Sequence, residues 1–175
     1  TVIGKDSEGE EIRKLIRQEG LVDSLLIDDA TRQTSVKSRY LADGQQILRT
    51  DHETIFPLNR NVEKKLISTA VKAMEACEAV IISDYAKGVL TDKVLAELIK
   101  AAKSKSKIVI VDPKGGNYGR YFGADIITPN RRELFEATGM PTRSDDEVTL
   151  AAQSLIDSHS FGAVLATRSK DGLTL

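Results

Sequence analysis

Four short strand-type runs, Ala79-Val80-Ile81-Ile82, Ile108-Val109-Ile110-Val111, Asp125-Ile126-Ile127-Thr128 and Ala163-Val164-Leu165-Ala166, alternate with stretches whose apolar residues recur at helical spacing. A strand that is apolar throughout is buried on both faces, and strands that alternate with helices must be joined by crossovers. The expected fold class is therefore α/β, a mostly parallel sheet sandwiched by helices. Right-handed crossovers put the C-terminal ends of the strands along one edge, which is where open α/β sheets bind ligands.

The helical stretches are well punctuated. Asp6 or Ser7 caps a helix carrying Ile12, Leu15 and Ile16, which stops at Gly20. Val62, Leu66, Ile67, Ala70, Val71, Met74 and Cys77 share a second helical face, and Cys77 is expected in the core there. Thr91 caps a third helix with Val94, Leu95, Leu98 and Ile99; Ser144 or Asp145 starts another with Leu150, Ala151, Ser154 and Leu155. Before Pro57 the pattern differs. Leu25 to Asp28 reads as a short strand. Thr34 to Leu41 alternates, with Val36, Ser38 and Tyr40 on one face and Lys37 and Arg39 on the other. Ala42-Asp43-Gly44 is a turn signal, and Gln45 to Thr50 is the returning strand. Residues 24–51 thus form a small antiparallel piece, and residues 1–23 with 52–175 form the α/β domain. Lys170-Asp171-Gly172 is a second hairpin turn.

Composition narrows the function. Lys and Arg number 25 against 26 Asp and Glu, so there is no overall basic field to recruit nucleic acid. No apolar run approaches the roughly 18 residues of a membrane span. One cysteine, Cys77, excludes an internal disulfide and suits the cytoplasm. His52 and His159 lack metal-ligand spacing and are expected at the surface. No signal peptide is visible; the chain lacks an initial Met, and its true N-terminus is expected upstream.

Polar residues follow each of the four strands at once: Ser83-Asp84-Tyr85-Ala86-Lys87-Gly88, Asp112-Pro113-Lys114-Gly115-Gly116, Thr128-Pro129-Asn130 with Glu133, and Thr167-Arg168-Ser169-Lys170. Cations with a few carboxylates and amides are what a magnesium-bound phosphate ligand needs. Asn130 and Glu133, three apart at a helix start, suit a hydrated Mg²⁺ facing phosphates, but they equally suit an ordinary capping box. Lys87, Lys114 and the hairpin charges each have a bland reading as solvated surface. The coincidence of four such loops on one edge favours a ligand site. There is no Walker A and no G-x-G-x-x-G.

The segments SDYAKGVL, VDPKG and TPNRRE, with the lid-like SVKSRYLADGQQILRTD, resemble the ribokinase-like (PfkB) carbohydrate kinases. Within them, Gln45 to Asp51 and Ser83 to Gly88 are most similar to the branch acting on D-glycero-β-D-manno-heptose 7-phosphate in ADP-heptose and lipopolysaccharide synthesis. The resemblance implies ATP and Mg²⁺ as cofactors, and transfer of the γ-phosphate to O1 of the heptose 7-phosphate. It implies Asn130 and Glu133 at the metal, and Lys114, Thr167 and Arg168 with them at the nucleotide. Lys37, Arg39, Gln45, Arg49 and Lys87 become candidates for the sugar phosphate; residues 24–51 match the family's small β-lid, which the resemblance makes a homodimer contact. The family's upstream Gly-rich sugar-binding segment and downstream G-A-G-D motif, whose Asp is the general base, are not in these 175 residues. The chain is accordingly read as a fragment that holds no catalytic base. Two alternatives stand: a PfkB-type kinase for ribose, fructose, tagatose phosphate or a nucleoside, and a non-catalytic module binding nucleotide or sugar phosphate.

Overall fold

The computed structural model describes residues 1–20 and 24–175. The lid boundary expected at residue 23 lies outside the described residues. The chain divides into two compact units, residues 1–69 with 87–89 and residues 70–86 with 90–175.

In the first unit, β1 (Val2–Gly4) leads into α1 (Ser7–Glu19) and pairs in parallel with β2 (Ile27–Asp29). Asp6 caps α1 by accepting from Gly9 N–H at 2.8 Å, and Gly20 ends it in the left-handed conformation. The same carboxylate accepts from the Thr34 N–H at 2.8 Å and the Thr34 hydroxyl at 2.6 Å, so the helix cap also anchors the base of a hairpin. That hairpin is β3 (Val36–Ala42) and β4 (Gln45–His52), turning through Asp43 and Gly44, both at positive φ (49° and 78°). A two-residue turn of this kind matches the right-handed twist of the strands and selects Asp-Gly.

Buried Arg32 closes the hairpin base. Its guanidinium donates to the carbonyls of Thr54 (3.1 Å), Phe56 (2.7 Å) and Lys87 (2.9 Å). Leu58 N–H donates to Gly88 O at 3.1 Å, and a Cβ on Gly88 would collide with the Phe56 carbonyl. Gly88 also sits at φ 75°, so two constraints select glycine there. The helix α2 (Arg60–Ala73) starts in this unit.

The second unit holds β5 (Ala79–Ser83), α3 (Asp92–Ser104), β6 (Ile108–Asp112), β7 (Ile126–Ile127), α4 (Arg131–Thr138), α5 (Asp145–His159), β8 (Ala163–Val164), β9 (Ala166–Thr167) and β10 (Leu173–Thr174). Strands β5-β6-β7-β8 form a parallel sheet in that order, flanked by helices; β9 and β10 form a short hairpin. Val94, Leu95 and Ile99 of α3, Val109 and Val111 of β6, Ile127, Leu134, and Val148 and Leu155 of α5 make its core. On the other face of the sheet Ile81 and Ile108 stay 73% and 52% exposed.

Three expectations need correction. The run 163–166 is not one strand: Leu165 separates β8 from β9, which belong to different sheets. Backbone bonding still carries on past the break, Leu165 N–H to Ile127 O at 2.9 Å and Thr167 N–H to Pro129 O at 2.8 Å. Cys77 is exposed, because α2 tightens into a 3-10 turn over Met74–Ala76 and residue 77 leaves the helical phase in extended conformation. His52 is exposed as expected, but His159 is half-buried, its ring 5.6 Å from that of Phe161. Among the described residues, no helix is long and apolar enough to cross a membrane.

Candidate active site

All four polar loops of the second unit reach one cleft of about 270 Å³, lined by Asp84, Tyr85, Asp112, Pro113, Lys114, Thr128, Asn130, Glu133 and Thr167. The parallel sheet explains this convergence, since each loop leaves a strand's C-terminal end.

The start of α4 is the most defined part. Asn130 Oδ1 accepts from Glu133 N–H at 3.0 Å, and Glu133 Oε2 accepts from Asn130 N–H at 3.1 Å, a complete capping box. Glu133 is only 7% exposed, and its other oxygen, Oε1, receives the Lys114 ammonium at 2.7 Å. That hydrogen bond, then the Glu133 charge, raises the Lys114 pKa above its ordinary value. A parallel bridge between Asn130 and Thr167 brings the fourth loop alongside.

Lys114 is held from behind. The buried Tyr121 hydroxyl accepts from Lys114 N–H at 3.1 Å and donates to Asp84 Oδ2 at 2.8 Å. Asp84, 5% exposed, also accepts from Ala86 N–H at 2.7 Å and from Arg120 at 3.3 Å. Burial, and the hydrogen bond to Asp84, push the Tyr121 phenol well above its usual range, so it remains a donor across physiological pH. Sequence reasoning overlooked Tyr121 and Arg120. The available signal was indirect: Asp84, directly after an apolar strand, is a carboxylate that needs partners once buried.

Arg168 is not brought to the cleft. Its guanidinium pairs with Asp145 and its N–H donates to Gly172 O, so the β9–β10 hairpin turns it towards the start of α5.

The other predicted residues lie in the first unit. Lys37 faces Asp51 at 3.4 Å and Glu53 at 3.9 Å, Arg49 faces Asp51 at 3.1 Å, and Lys87 pairs with Glu53. Arg39 stands directly opposite Arg49 and has no ion pair among the described residues. Like charges facing across a strand pair are unfavourable unless an anion joins them. Gln45 is separated from this group. A β-bulge shifts the register after Tyr40, so Leu41 faces Gln46 and Gln45 faces Ala42. Directly opposed residues share a face, which sets Gln46 on the side of Arg39 and Gln45 on the other.

The donors around Glu133 fit a hard divalent cation. Carboxylate, amide and hydroxyl oxygens line the cleft, and an ammonium already sits on Glu133 Oε1. Among the described residues, no three His, Cys, Asp or Glu side chains group closely enough to hold a metal alone. A Mg²⁺ here would keep water ligands and share phosphate oxygens.

The family described as pfkB family carbohydrate kinase matches residues 1–175. Two curated relatives, each named Bifunctional protein HldE, are similar along the chain. That of Paramagnetospirillum magneticum is 43% identical over 175 residues, 100% of this chain and 36% of the relative. That of Rhodospirillum rubrum is 47% identical over 174 residues, 99% of this chain and 35% of the relative. The chain thus spans about a third of their length. Among solved structures, the phosphofructokinase-2 from Escherichia coli in complex with fructose-6-phosphate aligns with TM-score 0.70 at 20% identity, covering 98% of this chain and 56% of that one. The ribokinase of Arabidopsis thaliana complexed with ribose and ATP aligns with TM-score 0.70 at 18% identity, covering 98% and 55%. These likenesses show the ribokinase-like fold.

Proposed function

We propose, from the premise that this chain belongs to the pfkB family of carbohydrate kinases, that it forms part of an ATP-dependent sugar kinase. The reaction is transfer of the ATP γ-phosphate to O1 of D-glycero-β-D-manno-heptose 7-phosphate, giving the 1,7-bisphosphate on the way to ADP-heptose. The observation that carries the nucleotide half is the cleft at the start of α4, where Glu133, Asn130, Lys114 and Thr167 converge at the N-terminus of a helix, the end that favours anions. Lys114 and Thr167 bind phosphate oxygens, while Asn130 and Glu133 hold the metal and its waters. Mg²⁺, when bound, neutralises charge between the phosphates. Arg168, paired with Asp145, serves the β9–β10 hairpin in this ground state and reaches phosphate only by leaving that partner.

The hairpin supplies the sugar-phosphate half. Lys37, Arg39, Arg49 and Lys87 collect on one side of the first unit, and the facing Arg39–Arg49 pair suits a dianion. An unphosphorylated sugar gains nothing from such a cluster, which favours the phosphorylated substrate over ribose or a nucleoside. The exposed Tyr40, Leu41, Ile47 and Leu48 support a homodimer through this hairpin. The exposed free thiol of Cys77 suits the reducing cytoplasm.

The test uses the full-length protein with ATP, Mg²⁺ and a panel of heptose 7-phosphate, ribose, fructose 6-phosphate and adenosine. Heptose 7-phosphate is expected to give the highest kcat/KM, with the 1,7-bisphosphate seen by ³¹P NMR. Glu133→Gln is expected to lower kcat by roughly 10²-fold with little change in the sugar KM. Normal turnover with only a lower Tm would leave Glu133 as a cap and remove the metal assignment.

A further inference from the structure

We infer that the Lys114 ammonium is a placeholder for the divalent cation at Glu133, so that metal binds this carboxylate tightly only when a nucleotide phosphate draws Lys114 away. This rests on the nucleotide-site reading above. Glu133 has two oxygens, and both are in use: Oε2 takes the Asn130 N–H at 3.1 Å and Oε1 takes Lys114 Nζ at 2.7 Å. The first bond belongs to the helix cap and is local. The second joins residues 19 apart in sequence and is the one a cation must replace.

The geometry separates the part of Lys114 that moves from the part that does not. Its backbone is pinned by Tyr121, whose hydroxyl lies 3.1 Å from both Lys114 N and Lys114 O and is itself tied to buried Asp84 at 2.8 Å. Its side chain is 51% exposed and makes its one ion pair, among the described residues, with Glu133. A flexible four-carbon stem on a fixed root can therefore exchange partners without disturbing the loop. Metal alone must compete with a positive charge already seated on Glu133. With phosphate present at the start of α4, Lys114 has an alternative anion and the exchange becomes favourable. Metal and nucleotide then each raise the other's affinity by the same factor.

The experiment titrates Mn²⁺ alone into the full-length protein, read by electron paramagnetic resonance. Wild type is expected to bind Mn²⁺ weakly at this site, and tightly once a non-hydrolysable ATP analogue is added. Lys114→Met keeps the stem and removes the charge; it is expected to bind Mn²⁺ without nucleotide at least about tenfold more tightly than wild type. Adding Glu133→Gln to Lys114→Met should erase that gain. Lys114→Gln serves as a second neutral variant should the Met variant fold poorly. Nucleotide-free Mn²⁺ affinity unchanged in both neutral variants would overturn the inference, as would a gain that survives Glu133→Gln. The metal-alone arm needs no nucleotide, so failure of wild type to bind the analogue counts against the kinase reading and leaves the placeholder decided by Mn²⁺.

Discussion

Asp6 accepts three hydrogen bonds, from Gly9 N–H, Thr34 N–H and the Thr34 hydroxyl, and so serves α1 and the hairpin base together. The Thr34 hydroxyl, then the Thr34 amide, hold its carboxyl below the ordinary 3.8, against a smaller opposing effect of burial. A folded pKa below the unfolded one gives stability that is full above the unfolded value and is lost as pH falls through the folded value. Asp6→Asn keeps a capping oxygen but loses the charge. It is expected to lower stability at pH 7 by about 1 kcal/mol, the scale of the difference between a charged and a neutral hydrogen-bond acceptor. The gap from wild type should narrow as pH drops below 3.8, checked by urea unfolding across pH 2.5–7. A gap of constant size would mean that the charge contributes nothing.

At the scale of one element, the β3–β4 hairpin carries a cationic side and an apolar side, and the bulge at Tyr40/Leu41 decides which residues join which. A charged hydrogen bond to phosphate contributes about 1.5–3 kcal/mol. Arg39→Ala and Arg49→Ala in the full-length protein are therefore expected to raise the heptose 7-phosphate KM by roughly 10–100-fold, with the ATP KM hardly moved. Gln45→Ala, on the opposite side by register, should change the sugar KM less than either. If Arg39→Ala and Arg49→Ala keep the sugar KM and only weaken association in sedimentation, the cluster serves a contact between copies and not the substrate. Arg32 makes the base of this element firm, since three carbonyls converge on one buried guanidinium.

For the whole molecule, the deciding fact is coverage. These 175 residues correspond to a little over half of solved kinases of the same fold, 55% of the ribokinase and 56% of the phosphofructokinase-2. Family resemblance implies a general base within a G-A-G-D segment, and these 175 residues contain no such segment. General-base catalysis supplies about 10²–10⁴-fold, and stabilisation of developing charge about as much again. The 175-residue chain alone is expected to show no measurable heptose kinase activity. Phosphorylation by the purified chain within about tenfold of the full-length rate would overturn this.

What the sequence determined by itself is local in origin. Caps at Asp6, Thr91, Asn130 and Ser144, the Asp43-Gly44 turn and the alternation of strand and helix all follow from contacts within about four residues along the chain. With the handedness of crossovers, that was enough to bring Lys114, Asn130, Glu133 and Thr167 to one edge. Tertiary structure decided which partner each charge takes. Tyr121 reaches Asp84 across 37 residues, Lys114 reaches Glu133 across 19, and Arg168 goes to Asp145 instead of the cleft. The bulge that removes Gln45 from the cationic face and the break at Leu165 are likewise settled by strand neighbours. Period and propensity are summed along the chain, whereas register and ion pairing are chosen among residues that meet only after the sheet has formed.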